Sequence, residues 1–220
     1  MNIIKRLTEN KFIKHVLLLV GGTVFAQGLV VLSSPILTRM YTPENFGILG
    51  IFISLISILS SVVSMKYELA LPLTRNLKET INLFILNILL ISILSFLFLL
   101  IFLLFGDYIF SLLGVYGYVD LLRWLIPLTL FFMGITINIT YLFVKLNKFK
   151  NIASIKVNST MVKVVSQLLL GTMPSSNFGL IAGDIFGRFL GAILSLYLVF
   201  NKSLNQIYIY ILRNMCLLII

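Results

Sequence analysis

The chain has 220 residues, of which 60% are hydrophobic and only 11% charged. A soluble domain carries about 45–50% apolar and about 25% charged residues, so a soluble globular protein is excluded. The net charge of +10, from 17 Lys and Arg against 7 Asp and Glu, does not point to nucleic acid. The basic residues cluster between apolar runs and not along a soluble face, which is a pattern of membrane topology.

A single cysteine, Cys216, and a single histidine, His15, exclude an internal disulfide and any Cys- or His-based metal cage. Neither a metal nor another cofactor is expected. The basic start (Lys5, Arg6, Lys11, Lys14) is followed by an apolar run too long for the h-region of a signal peptide, and no small-x-small site closes it. It reads as a retained first span.

Each membrane crossing needs about 20 mostly apolar residues, and charges divide the chain into six such stretches. Span one runs over about 16–38, span two over about 46–65 and span three over about 81–105. Span four covers about 124–144. Span five, about 157–173, is the weakest because it contains Lys163, Ser166 and Gln167, and span six, about 178–200, contains Asp184 and Arg188. Residues 1–206 thus form one six-span unit. Residues 207–220 turn apolar again and read as the truncated start of a further segment.

Direction follows from the tendency of Lys and Arg to stay on the cytoplasmic side in short loops. With the N-terminus inside, the inner segments hold Lys5, Arg6, Lys11, Lys14, Lys66, Arg75, Lys78, Lys145, Lys148, Lys150, Lys156, Lys202 and Arg213. The outer segments hold only Arg39 and Arg123, at span edges, with Glu44, Asp107 and Asp120. Thirteen basic residues against two set an N-in, C-in orientation for an all-α integral membrane protein. One internal echo exists: Pro43-Glu-Asn-Phe-Gly47 and Pro174-Ser-Ser-Asn-Phe-Gly179 each open a span that descends from the outer face. It marks either a duplicated hairpin or ordinary turn chemistry.

Ionisable residues within a span cost about 2.5–3.5 kcal/mol each and face a bundle interior or a water-filled cavity. Asp184 and Arg188 are four apart, share one face of span six and can pair. Arg188 lies about 15 Å from the outer end at 1.5 Å per residue, near the midplane. Lys163, about six residues above the inner end of span five, is within snorkelling reach of the interface. Either these residues line a substrate pathway, or the Asp184–Arg188 pair is a structural bridge between helices. Arg39 is either an interfacial anchor or a cation at a cavity mouth. Gln27, Thr136, Asn138, Thr140 and Gln167 fit interhelical hydrogen bonding. Gly21, Gly22, Ala26 and Gly28 permit close helix approach, and Pro35 can kink span one.

The sequence has no Walker A pattern, no His-Glu-x-x-His and no Gly-x-Ser-x-Gly. The outer acids Glu44, Asp107 and Asp120 are far apart, with no paired carboxylates for acid–base or metal-assisted work. The expectation is a protein that is not an enzyme.

Two blocks carry a resemblance. The first contains Thr23-Val-Phe-Ala-Gln27 and Pro35-Ile-Leu-Thr-Arg39-Met-Tyr-Thr-Pro43-Glu-Asn-Phe-Gly47; the second is Lys66-Tyr67-Glu68-Leu-Ala-Leu-Pro72. Together they resemble the opening of bacterial polysaccharide biosynthesis membrane proteins, the O-antigen and capsule flippases of the multidrug/oligosaccharidyl-lipid/polysaccharide exporter superfamily. The family-motif positions are Gln27, Pro35, Arg39, Pro43, Gly47, Tyr67 and Glu68. The resemblance implies one lobe of a two-lobe flippase in the bacterial inner membrane. Such a protein moves undecaprenyl-pyrophosphate-linked oligosaccharide across the bilayer by alternating access and works beside the polysaccharide polymerase machinery. The six spans correspond to the N-terminal lobe, so a C-terminal lobe or a second copy would complete the cavity. Arg188, Lys163 and Arg39 are the cations available to the pathway, and Asp184 is the group that can take a proton or ion. The alternatives are a multidrug exporter of the same superfamily or a non-transporting scaffold of the assembly machinery.

Overall fold

The computed structural model describes residues 11–115, 119–172 and 178–200. Among them the chain is helical throughout, with no strand. The helices are α1 (Lys11–Met40), α2 (Pro43–Val63), α3 (Leu77–Leu112), α4 (Val119–Lys145), α5 (Phe149–Gly171) and α6 (Gly179–Phe200), with a 3₁₀ segment at Tyr67–Leu73. All except α5 are long and apolar enough to cross a membrane. The apolar 207–220 segment, most of the second Asn-Phe-Gly block, and Lys5, Arg6, Lys202, Arg213 and Cys216 lie outside the described residues.

Several helices outrun the predicted spans, because a charge ends the apolar stretch without ending the helix. α3 begins at Leu77, four residues before the predicted span, and Glu79 is the reason. Its carboxylate accepts from the backbone N–H groups of Arg75 (3.0 Å) and Asn76 (3.5 Å), closing a capping box that starts the helix. At the other end α3 runs past Phe105 to Leu112, where Asp107 pairs with Arg123 of α4. α5 begins at Phe149, eight residues before the predicted span. The break ahead of it is set by Asn147, whose φ of 55° places it at the left-handed position of a Schellman end, with Lys148 N–H on Phe143 O at 2.9 Å.

The turn between α1 and α2 is a compact cap. Thr42 is in extended geometry and accepts from Asn45 N–H at 3.5 Å, and Pro43 occupies the first helical turn, where its missing donor is harmless. At the other end of α2, Met65 and Lys66 both take positive φ, 45° and 59°. This turns the chain into the 3₁₀ segment, whose tail is held to α4 through Lys145 Nζ on the carbonyls of Pro72 (3.2 Å) and Thr74.

Packing is uneven. α4 and α6 are the most enclosed helices, and α1 is the least. One apolar cluster, around Phe52, Ile91, Phe110 and Ile126, fills the α2–α3–α4 side; a second, around Ile81, Ile139 and Phe143, lies towards the 3₁₀ segment. Asn87 and Asn138, both fully buried, join α3 to α4 through an Nδ2 to Oδ1 bond of 2.9 Å, and Asn138 Nδ2 donates on to Phe84 O at 3.2 Å. The outward faces of α1 and α3 carry Val24, Leu32, Ile93 and Phe96, all exposed and suited to lipid tails.

The most extensive helix contact is between α5 and α6, where a stripe of four glycines at a spacing of four, Gly179, Gly183, Gly187 and Gly191, lets the backbones approach. A Cβ at Gly183 would overlap Gln167, and one at Gly187 would lie 2.7 Å from Lys163 Cβ and 2.8 Å from Ser159 O. In the Gly21–Gly28 tract only Gly22 meets a neighbour, with Ala153 Cβ 3.0 Å from where its Cβ would be, whereas Gly21 and Gly28 face open space.

Gly187→Ala is expected to destabilise the chain in detergent by about 1–3 kcal/mol, because the clash at Ser159 is with backbone. Gly21→Ala is expected to change little. Thermal unfolding followed by size-exclusion fluorescence checks both; equal midpoints for the two variants would contradict close glycine packing.

Candidate functional site

The hairpin α5–α6 brings Lys163, Asp184 and Arg188 together. Asp184 is 2% exposed and each of its carboxylate oxygens is taken: Oδ1 accepts from Lys163 Nζ at 2.6 Å and Oδ2 from Arg188 Nε at 2.6 Å. Arg188 comes from the next turn of α6. Lys163 comes from α5, where the neighbouring Gly183 and Gly187 let the backbones close in. With α5 starting at Phe149, Lys163 is 14 residues, about 21 Å, from the start of the helix. It therefore does not snorkel to the interface but crosses to α6. Arg188 lies nine residues into α6, about 14 Å from its start.

The triad carries two positive charges and one negative. Asp184 is nearly sealed, while the side chains of Lys163 and Arg188 retain about a quarter of their exposure. That exposure opens onto a cavity of about 600 Å³. Its α4 wall is made by Met133, Thr136 and Thr140, and its α5 wall by Lys156, Ser159 and Thr160. Arg188 Nη1 rests on Met133 Sδ at 3.0 Å, which steadies the guanidinium against α4. Thr136 and Thr140 give their hydroxyl protons to carbonyls one turn back, Phe132 O (2.9 Å) and Thr136 O (2.7 Å). They do not tie helices together, and their remaining lone pairs are acceptors on the cavity wall.

Among the other polar residues, Gln167 links helices: its Nε2 donates to Leu180 O at 2.9 Å and its backbone carbonyl accepts from Tyr41 Oη at 2.7 Å. Burial pushes the Tyr41 hydroxyl up from its usual range, which keeps it a proton donor. Asn138 joins α3 to α4, as described above. Gln27 is exposed on α1.

Arg39 is exposed in the last turn of α1 and does not line the cavity. Of the family-motif positions, Pro35 sits exposed inside α1, Pro43 starts α2, Gly47 is exposed with open space around it, and Tyr67 is half-exposed at the start of the 3₁₀ segment. Glu68 is 2% exposed, with Oε1 accepting from Ser64 Oγ at 3.0 Å and Oε2 without a protein partner among the described residues. These positions shape turns and helix starts, and the structure brings none of them to the cavity.

The sequence reading overlooked Ser159 and Thr160 as cavity residues and placed Lys156 only among the basic residues of the inner segments. Lys156 Nζ donates to Thr23 Oγ1 of α1 at 3.1 Å while lining the cavity. A usable signal was present: Lys156, Asn158, Ser159, Thr160 and Lys163 put five polar residues within eight positions of one helix, in a chain otherwise this apolar.

Comparison with known proteins adds the following. A family model described as polysaccharide biosynthesis protein matches residues 36–217. The match includes Arg39, Pro43, Gly47, Tyr67 and Glu68 and the whole Lys163–Asp184–Arg188 triad. No curated protein and no solved structure gave a match. A helical, multi-pass membrane architecture with polar and charged residues gathered inside it, and a family match over most of the chain, agree: the chain belongs to the polysaccharide biosynthesis protein family.

Proposed function

We propose that the chain forms one lobe of a membrane flippase that moves undecaprenyl-pyrophosphate-linked oligosaccharide by alternating access. The observation that carries this reading is the Lys163–Asp184–Arg188 triad, with one net positive charge, on the wall of a cavity lined by α4, α5 and α6. An anionic pyrophosphate cannot enter hydrocarbon bare. Two cations that one carboxylate only half compensates offer it the missing counter-charge. A phosphate entering the cavity competes with Asp184 for Lys163 and Arg188, and the displaced carboxylate is then the group able to take a proton or cation. The hydroxyls of Thr136, Thr140 and Thr160, whose protons go to carbonyls of their own helices, supply acceptors for sugar, and the lipid tail stays in the bilayer. No covalent bond is made or broken, so the chain acts as a transporter and not an enzyme.

The same reading places six crossings in the bacterial inner membrane with the N-terminus inside. α5 supports this although its composition alone does not mark it as a span. Its 23 residues reach about 35 Å, enough for the roughly 30 Å hydrocarbon core. Its most costly groups are satisfied within the protein, at Asp184 and Leu180. Ser154 and Asn158, bonded to each other at 3.1 Å, remain exposed on this helix, which suits a wet central space facing a second lobe. That lobe comes from further polypeptide or from a second copy. The basic residues Lys66, Arg75, Lys78, Lys145, Lys148 and Lys150 gather at one end of the bundle, and Arg39, Glu44, Asp107, Asp120 and Arg123 at the other.

Arg188→Gln leaves Asp184 paired with Lys163 and so keeps the fold. It removes a charge-assisted contact to phosphate worth about 1.5–3 kcal/mol, and surface polysaccharide in a cell dependent on this protein is expected to fall by more than about tenfold at unchanged protein level. Unchanged surface polysaccharide would remove Arg188 from the pathway. For orientation, alkaline phosphatase fused after Asn147 is expected to be inactive and after Gly114 active; the reverse pattern would overturn the N-in assignment.

A further inference from the structure

A second cavity, of about 210 Å³, opens at the basic end of the bundle, where the loop before α3 meets the last turn of α4. It shares no lining residue with the cavity of the triad. Arg75, Asn76, Thr80 and Lys145 provide polar groups in its lining, and Leu77 and Leu142 are among the apolar ones. Lys145 is held in place by the carbonyls of Pro72 and Thr74, which occupy two of its three donors. The Arg75 side chain is exposed and has no acidic partner among the described residues. The nearest acid in sequence, Glu79, is committed to the backbone N–H groups of Arg75 and Asn76 and to the Asn76 side chain. Two cations and one engaged carboxylate leave the mouth of the cavity short of an anion.

We propose that this cavity binds the headgroup phosphate of an anionic phospholipid from the surrounding leaflet. Arg75 and Lys145 meet the phosphodiester, the second Nδ2–H of Asn76 hydrogen-bonds the glycerol end, and the acyl chain follows Leu77 and Leu142. Basic pockets between transmembrane helices are suited to such headgroups. The apolar half of the lining selects a lipid over free phosphate, because a hydrated phosphate would leave Leu77 and Leu142 unmatched. Bound there, the lipid clamps the loop that follows the 3₁₀ segment onto α4.

The test uses the full chain purified in neutral detergent and its thermal unfolding as lipid is added. Phosphatidylglycerol in mixed micelles is expected to raise the midpoint, and phosphatidylcholine at equal concentration is not. Arg75→Gln is expected to raise the phosphatidylglycerol needed for half the shift by about tenfold or more, the loss of one charge-assisted hydrogen bond to phosphate. Lys78→Gln, exposed at the same end but outside the cavity, is expected to change it by less than about twofold. Equal stabilisation by phosphatidylcholine would overturn the proposal. So would equal losses in the two variants, which would mean a diffuse basic surface, or full stabilisation by soluble glycerol 3-phosphate, which would mean a free-phosphate site.

Discussion

A carboxylate nearly sealed from solvent, with a cation on each oxygen, is the interaction on which this structure turns. Asp184 holds Lys163 from the neighbouring helix and Arg188 from its own. In a low-dielectric interior none of the three charges is tolerable alone. Removing the carboxylate would leave two like charges side by side at a cost of about 3–5 kcal/mol. The arrangement is asymmetric in a useful way. The negative charge is buried, the positive charges keep an open face, and the net charge presented to the cavity is positive.

That geometry depends on how closely two backbones approach. Helices that present larger side chains to each other sit about 8–10 Å apart. Gly183 and Gly187 face Gln167, Lys163 and Ser159 with no room for a Cβ, so the Lys163 stem reaches Asp184 within a hydrogen-bond length. Gln167 and Tyr41 fasten the same hairpin to the end of α1. In a bilayer the hydrophobic effect does not drive helices together, so close packing and satisfied polar groups do that work. Here both are concentrated on α5 and α6.

Much of the architecture was legible because the lipid solvent enforces a crude rule: apolar stretches of about 20 residues, bounded by charge. The pairing of Asp184 with Arg188 was legible for an equally local reason, the four-residue spacing on one helix. Three things were not. Helix ends were misplaced at α3 and α5 because Glu79 caps a helix and Asn147 ends one, events decided by backbone geometry and not by hydropathy. Lys163 was left between the interface and a pathway because α5 was expected to start eight residues later. The partner that draws it inward lies on another helix, 21 residues away in sequence. The roles of Thr136 and Thr140 were hidden as well, since a hydroxyl that bonds back to its own helix and one that bridges two helices look the same in a sequence. Arg39 and Glu68 show the converse. Both stand out in the family-like blocks, yet the structure places neither in the cavity.

The central claim is that the cavity beside the triad is wet and positive. With Cys216→Ser as background, Thr160→Cys on the cavity wall and Ile93→Cys on the exposed face of α3 can be compared by reaction with an anionic and a cationic methanethiosulfonate in membranes. The expected result is labelling at position 160, faster with the anionic reagent than with the cationic one, and none at position 93. Inertness at position 160, or faster labelling there by the cationic reagent, would contradict the claim.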